Sequence, residues 1–302
     1  MHVVDGDITN YADFEKLISY NVDTIFNCAA NVKHFSSGTD IEDINYGGVL
    51  NGLEFAKLKN SKYVQVSTYS VAGESINNFP PEDYKFNERD LFIGQGIDNQ
   101  YLRSKFLAER AVLEAAVEND LSVKIMRVGN LMARSDDGEF QINFVSNGFI
   151  NRLKAFVTIG KMPYSLLSDA DELSPIDVTA KSIVELSKTP KECVIFHPYQ
   201  YHAICFGDIL EVIEPLGLEI EAVEEEEYDD YLNQALNDKD KQEGISGLIT
   251  SIGSGKFKKV WIDAENDYTV QVLYRLGVKW PIISEEYIYK FIEYLNDLAF
   301  FD

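Results

Sequence analysis

Residues 99–130, NQYLRSKFLAERAVLEAAVENDLSVKIMRVGN, contain the clearest secondary-structure signals of the chain. Between Gln100 and Asn119 the apolar side chains recur at helical spacing, which predicts a long amphipathic helix. Ser122 to Val128 is rich in apolar and β-branched residues and predicts a buried strand directly after that helix. A helix that passes at once into a buried strand is typical of α/β folds.

The same alternation extends outward through the first two-thirds of the chain. Further strands are predicted at Asp23–Ala29, Tyr63–Thr68 and Cys193–Phe196, with helices after Asn10 and around Leu53. Such alternation predicts a Rossmann-like, doubly wound parallel sheet covered by helices on both faces. Ligands bind beyond the carboxyl ends of the strands in these sheets, so we expect the chemistry to follow Ala29, Thr68 and Val128.

Domain boundaries are predicted from the point where strand signals give way to helices. We assign residues 1–145, together with 175–205, to a domain built on the predicted sheet, and residues 146–174 and 206–302 to a smaller, mainly helical C-terminal lobe. The family resemblance described below implies that the first is a partial dinucleotide-binding domain and that the second contacts substrate.

Composition excludes several classes of function. The 302 residues carry a net charge of −23, which argues against nucleic acid and anionic membrane surfaces as partners, because both need a basic face. No apolar run reaches the roughly 18 residues of a membrane span, and no signal peptide opens the chain. The three cysteines are widely spaced without a C-x-x-C pattern, so we predict no metal site and a cytoplasmic protein.

Tyr101 and Lys105 are the strongest candidates for catalysis. They stand four residues apart on the predicted helix and therefore share one face. A hydride that reaches a carbonyl creates negative charge on oxygen, which requires a proton donor and hydrogen bonds. A nearby ammonium is expected to lower the pKa of the Tyr101 phenol, and Thr68, at the end of a predicted strand, would supply a second hydrogen bond.

Several short motifs together resemble the extended short-chain dehydrogenase/reductases. Within them the chain is similar to the thioester reductase domains that end nonribosomal peptide synthetases, and to carboxylic acid and α-aminoadipate reductases. The motifs are Gly6-Asp7-Ile8-Thr9, Phe26-Asn27-Cys28-Ala29-Ala30-Asn31-Val32, Asn45, Ser67-Thr68-Tyr69-Ser70-Val71-Ala72-Gly73, Tyr101-Leu102-Arg103-Ser104-Lys105 with Ala108-Glu109, Arg127-Val128-Gly129-Asn130-Leu131, and Ser174-Pro175-Ile176-Asp177.

The resemblance implies that an acyl or peptidyl thioester on a phosphopantetheine arm is reduced by NADPH and released as an aldehyde, or further as an alcohol. It implies an acyl or peptidyl carrier domain, in the same polypeptide, as partner. Thr68, Tyr101 and Lys105 match the family's catalytic positions. The positions that match its cofactor contacts are Asp7, Ile8, Ala29, Ala30, Asn45, Lys105, Asn130 and Leu131.

One departure from the family is large. The family opens with a strand, a glycine-rich turn and a helix that hold the pyrophosphate, and no G-x-x-G-x-x-G follows a strand here. We therefore expect the first βα units to be missing and the chain by itself to be inactive. Three alternatives stay open: a related enzyme acting on free acyl-CoA, one acting on a nucleotide-sugar, or a non-catalytic fragment with the same fold.

Overall fold

A computed structural model describes residues 1–32, 38–81, 83–141, 144–245, 248 and 261–301. The chain divides into two compact units. The first comprises Met1–Gly129, Ala180–Tyr199 and Lys259–Lys279. The second comprises Asn130–Thr179, Gln200–Lys258 and Trp280–Asp302.

Strands and helices alternate along the described residues. The strands are β1 Thr24–Asn27, β2 Lys62–Thr68, β3 Val123–Val128, β4 Leu131–Met132, β5 Lys161–Pro163, β6 Ala170–Asp171, β7 Ser174–Pro175, β8 Ile195–Phe196, β9 Ile204–Cys205 and β10 Glu221–Val223. The helices are α1 Tyr11–Phe14, α2 Asp40–Glu42, α3 Gly48–Lys59, α4 Gln100–Asn119, α5 Gly148–Ile159, α6 Ile176–Ser187, α7 Phe206–Ile213, α8 Glu225–Asn237, α9 Asp267–Arg275 and α10 Glu285–Asp297.

The first unit is built on a parallel sheet in the order β1-β2-β3-β8. Thr68 pairs with Val128, so the carboxyl ends of β2 and β3 lie level with each other. Apolar side chains of α3, α4 and the sheet form one buried cluster, which fixes both helices on the strands. The predicted α/β architecture with a parallel sheet is confirmed.

The second unit has its own core and only short strands. Helices α5, α7, α8 and α10 supply most of that core. Three two-stranded pairs accompany them: β5 with β10, β4 with β7, and β6 with β9. Each of these strands has two or three residues, which explains why the sequence shows so few strand signals in this region.

Residues 261–279 lie in the first unit, whereas the sequence places them in the C-terminal lobe. The reason is a set of long-range backbone hydrogen bonds. The N–H of Ile262 donates to the carbonyl of Gly73 at 3.0 Å, and the N–H of Phe86 donates to the carbonyl of Asp263 at 2.8 Å. Contacts between segments almost two hundred residues apart leave no periodic signal that local pattern analysis detects. The opposite difference is found at residues 130–145, 175–179 and 200–205, which the sequence assigns to the first domain and the structure places in the second unit.

The N-terminal segment carries the Gly6-Asp7-Ile8-Thr9 motif without a strand before it, since residues 1–7 form no strand among the described residues. The turn itself is present, since the N–H of Asn10 donates to the carbonyl of Asp7 at 3.0 Å.

Candidate active site

Thr68 ends β2 at the carboxyl edge of the sheet and is 8% exposed. It is also the N-cap of a 3₁₀ turn at Tyr69–Ala72. Its Oγ1 accepts a hydrogen bond from the Ser70 N–H at 3.2 Å and donates to the Ser70 Oγ at 3.1 Å. The backbone turns sharply at this point, which leaves the Thr68 hydroxyl at the strand end, where the sequence places it.

Helix α4 begins at Gln100, one residue before Tyr101. Asn99 is its N-cap, and the Asn99 Oδ1 accepts hydrogen bonds from the N–H groups of Tyr101 (2.9 Å) and Leu102 (3.2 Å). Tyr101 therefore lies in the first turn of the helix, which fixes its backbone. The ring of Tyr101 is half-buried, and the Lys105 Nζ lies 5.9 Å from its centroid.

Lys105 is buried, with 4% of its surface exposed. Its Nζ donates to the carbonyl of Val66 at 3.1 Å, which joins α4 to β2 two residues before Thr68. Burial lowers the pKa of Lys105 to about 8, and the negative charge of Glu109 opposes that shift. The ammonium of Lys105 is thus close to its titration point near neutral pH.

The pKa of Tyr101 differs from its sequence prediction. We expect a lowered value from the neighbouring ammonium, but burial raises the pKa of Tyr101 to about 12. The reason is geometric: desolvation disfavours the phenolate, and the Lys105 Nζ is engaged with the Val66 carbonyl. Tyr101 therefore keeps its proton at neutral pH, and it is a weaker acid than a free tyrosine.

A buried ion pair beneath this face of α4 escapes sequence analysis. Arg127 of β3 and Glu109 of α4 are both fully buried and lie 2.7 Å apart. The Glu109 Oε1 also accepts the hydroxyl hydrogen of Ser67 at 2.6 Å. The four-residue spacing of Lys105 and Glu109 places both side chains on one helix face and is a sequence signal for Glu109 alone. It does not indicate that Arg127 is the partner of Glu109.

Asn45 lies in a π-helical turn, Asp43–Gly47, and is 1% exposed. Its Nδ2 donates to the carbonyl of Asn31 (2.9 Å) and to the hydroxyl of Ser104 (3.0 Å), while its Oδ1 accepts from the Asn31 N–H (2.7 Å). Asn45 thereby joins the loop after β1 to the helix turn between Tyr101 and Lys105. Single π-turns inside helices occur frequently at functional sites.

The remaining candidate cofactor contacts of the first unit lie in the turn before α1 and in the loop after β1. The Asp7 carboxylate accepts from the N–H and the hydroxyl of Thr9, at 2.9 and 2.8 Å. The Ile8 carbonyl accepts from the Asn51 amide at 2.9 Å, so this turn is attached to α3. After β1, Ala29 is exposed, Ala30 is half-buried, and the Ala29 N–H donates to the Asn27 Oδ1 at 3.2 Å.

Asn130 and Leu131 follow β3 in the chain and belong to the second unit. The Asn130 N–H donates to the Glu172 carboxylate at 2.5 Å, and Leu131 pairs with Ser174 between β4 and β7. Burial raises the pKa of Glu172 to about 7. Sequence patterns do not identify Glu172, because its hydrogen bond with Asn130 joins residues that are 42 positions apart in the chain.

Within the described residues, no group of three or more histidine, cysteine, aspartate or glutamate side chains is arranged to hold a metal ion. No helix among the described residues is long and apolar enough to cross a membrane.

Comparison with known proteins assigns this chain to a family. Residues 1–183 match the model of the NAD-binding family described as male sterility protein. A linear gramicidin synthase of Brevibacillus parabrevis is 26% identical over 285 residues, which are 92% of this chain and 5% of the synthase.

Two solved structures match most of the chain. A thiolation-reductase di-domain from an archaeal nonribosomal peptide synthetase is 40% identical, with a TM-score of 0.88 over 99% of this chain and 62% of that one. The reductase domain of the aureusimine biosynthetic cluster is 26% identical, with a TM-score of 0.75 over 93% of this chain and 70% of that one. The chain thus spans less than two-thirds of the di-domain and a small fraction of the synthase. Because the family model covers more than half of its residues, this chain belongs to the NAD-binding family described as male sterility protein.

Proposed function

We propose that this chain acts in a reductase that releases a carrier-bound acyl or peptidyl thioester as an aldehyde, with NADPH as hydride donor. The observation that carries the proposal is the junction of α4 with the end of β2, where Lys105 contacts the carbonyl two residues before Thr68 and Tyr101 stands one turn away. Its similarity to the archaeal thiolation-reductase di-domain and to linear gramicidin synthase supports a thioester on a carrier arm as substrate.

The residues present fit the nicotinamide half of such a cofactor. Lys105 offers an ammonium and Tyr101 a hydroxyl at the carboxyl edge of a parallel sheet, where dinucleotides bind in this kind of fold. Small side chains at Ala29 and Ala30 allow close approach to the backbone after β1. Asp7 and Ile8 in the turn before α1 and Asn45 beside α4 are the further proposed cofactor contacts of the first unit. Asn130 and Leu131 match cofactor positions of the family by sequence.

The proposed mechanism uses the protonation states found in the site. When bound, the reduced nicotinamide supplies a hydride to the thioester carbon. Thr68 donates a hydrogen bond to the substrate oxygen as negative charge develops there. Tyr101 then transfers its proton to that oxygen, which gives a hemithioacetal. To stabilise the phenolate left on Tyr101, the Lys105 ammonium has to turn from the Val66 carbonyl toward the phenolate oxygen. Collapse of the hemithioacetal breaks the carbon–sulfur bond and yields the aldehyde and the free thiol of the arm.

The carrier domain is proposed to belong to the same polypeptide and the reaction to take place in the cytoplasm. A carrier in cis agrees with the archaeal protein, which is a thiolation-reductase di-domain.

Replacing Tyr101 by phenylalanine tests the assignment. In the full-length protein, Tyr101→Phe should lower the rate of thioester reduction by at least ~100-fold, because a positioned proton donor is lost. The measurement is NADPH oxidation together with aldehyde formation from a carrier-bound acyl group. Tyr274→Phe is the control, since Tyr274 is 66% exposed on α9.

Near-normal turnover by Tyr101→Phe would remove Tyr101 from the mechanism. Turnover of free acyl-CoA or of a nucleotide-sugar in preference to the carrier-bound substrate would replace the proposed substrate class. Parallel assays with NADH decide between the two nicotinamide donors.

A further inference from the structure

Glu109 and Arg127 form a buried ion pair that also contacts β2 beside the candidate catalytic residues. Arg127 Nε lies 3.0 and 3.1 Å from the two carboxylate oxygens of Glu109, and its Nη2 lies 2.7 Å from Oε2. This fork geometry fixes the plane and the position of the carboxylate. The other side of the carboxylate faces β2, where it accepts from the Ser67 hydroxyl.

Arg127 is itself held in place on its remaining sides. Its Nη2 donates to the Asp90 carbonyl at 2.8 Å, and its guanidinium lies 4.8 Å from the centroid of the Phe86 ring. Its Nη1 lies 3.2 Å from the His197 Nε2. Burial and the Arg127 charge lower the pKa of His197 to about 3, so His197 is neutral. Its Nδ1 therefore donates to the Glu265 carbonyl at 2.7 Å, and its Nε2 accepts from Arg127.

Glu109 thus lies between the two elements that carry the catalytic set. On α4 it stands one turn after Lys105, and on β2 its partner Ser67 directly precedes Thr68. The Lys105 Nζ contacts the preceding β2 residue, Val66. Two successive turns of α4 are therefore attached to two successive residues of β2.

We propose that Glu109 is a positioning residue for the reductase site, one whose Arg127-fixed carboxylate stands one turn of α4 from Lys105 and holds the Thr68 end of β2 against α4. The inference rests on the proposed function for its catalytic meaning. The charged and titratable groups that face Lys105 are Glu109 and Tyr101 on α4 and Cys28 after β1, with Arg127 of β3 behind Glu109. Among these, Glu109 supplies the largest favourable charge.

The test measures the titration of the Lys105 side chain directly, by NMR of ¹³C-labelled lysine in the chain without cofactor or substrate. In Glu109→Gln the midpoint of Lys105 should fall by about one pH unit, because a favourable charge is lost and the Arg127 charge is left uncompensated. In Glu109→Gln/Arg127→Gln both charges are absent, and the two amides can bond to each other. The midpoint of this double variant should lie between those of the wild type and the single variant.

Lys124→Met is the matched control. Lys124 is also fully buried on β3, but its Nζ donates to the carbonyls of Pro190 and Cys193. Removing this charge should leave the Lys105 midpoint unchanged. The double variant keeps the test decisive if Glu109→Gln alone fails to fold, because it contains no uncompensated charge.

An unchanged Lys105 midpoint in the folded double variant, or an equal shift in Lys124→Met, would overturn the positioning role. Turnover provides the second measurement: the alkaline limb of the kcat profile should move to lower pH in Glu109→Gln in step with the midpoint, while KM changes little. A wild-type protein that reduces no thioester, but shows the predicted midpoints, would refute the proposed function and leave the coupling of Glu109 to Lys105 intact.

Discussion

At the scale of single residues, the cost of burying Lys105 is measurable. Its pKa of about 8 lies below the ordinary value of 10.5, so the folded chain binds this proton less tightly than the unfolded chain. At pH 7 this penalty is on the order of 3 kcal/mol, and loss of the hydrogen bond to Val66 offsets about 1 kcal/mol of it. Lys105→Met should therefore stabilise the protein by about 2 kcal/mol at pH 7 while abolishing turnover.

Urea unfolding at pH 7 and at pH 10 provides the measurement for Lys105→Met. The gain should shrink as the pH rises through the window from 8 to 10.5, since the folded wild type no longer holds a buried charge there. Lys188→Met is the control: Lys188 is 58% exposed, and its loss should change stability by less than about 0.5 kcal/mol. A variant less stable than the wild type at pH 7 would contradict the assigned penalty.

Individual site residues were predictable from sequence only where one helix or strand contained the whole signal. The spacing of Tyr101 and Lys105 and the strand-end position of Thr68 predict their places on α4 and β2, and both elements are found there. The pKa values of Tyr101 and Lys105 were not predictable, because burial by other elements determines them. Arg127 appears in the sequence as part of a strand end, and only the fold shows that it faces Glu109.

At the scale of elements, the N-cap of α4 connects helix stability with the placement of Tyr101. The Asn99 side chain bonds to the N–H groups of Tyr101 and Leu102. Asn99→Ala should cost about 1 kcal/mol of stability. It should also lower turnover severalfold, because fraying of the first turn displaces Tyr101. Asn99→Ser retains a capping oxygen and should restore both, as measured by thermal unfolding and by kcat. Loss of stability with unchanged kcat would show that the first turn does not position Tyr101.

The accuracy of the predicted elements follows from the range of the forces that form them. Helix α4 begins and ends at the predicted residues, because its cap and its apolar stripe are local features. The predicted helix after Asn10 is instead four α-helical residues followed by a 3₁₀ turn, without a buried residue in either. Such a short segment gains little from packing, and helices of this length are marginal. Residues 261–265 pair with distant loops, so their position depends on tertiary contacts alone.

At the scale of the whole molecule, the neutral, buried His197 should govern part of the acid sensitivity. Its pKa of about 3 lies below the ordinary 6.5, so the unfolded chain binds its proton first. The stability from His197 is complete above pH 6.5 and is lost as the pH falls toward 3. Glu172, whose pKa is raised from 4.5 to about 7, has the opposite effect on stability: its contribution increases as the pH falls from about 7 toward 4.5.

The difference in stability between wild type and His197→Gln isolates the contribution of His197, because Glu172 is present in both. Between about pH 6.5 and 4.5 this difference should shrink by about 2–3 kcal/mol, as followed by urea unfolding. His202 is exposed, so the stability of His202→Gln should change with pH in parallel with that of the wild type. Parallel curves for His197→Gln as well would mean that His197 is protonated as readily in the folded chain as in the unfolded chain.

The net charge of the whole chain determines how the proposed substrate arrives. With a net charge of −23, the chain is expected to repel a carrier domain that is itself acidic, and electrostatic steering of such a carrier would then be absent. A flexible linker replaces steering, because it supplies an effective carrier concentration on the order of millimolar.

An acyl group on a fused carrier should therefore be reduced at least ~10-fold faster than the same group on a separate carrier at micromolar concentration. Higher salt should raise the rate with the separate carrier by screening the repulsion, and should leave the fused rate nearly unchanged. Aldehyde formed per minute, from both formats at low and high salt, gives the comparison. Equal rates that fall as salt rises would instead reveal an attractive docking surface on this acidic chain.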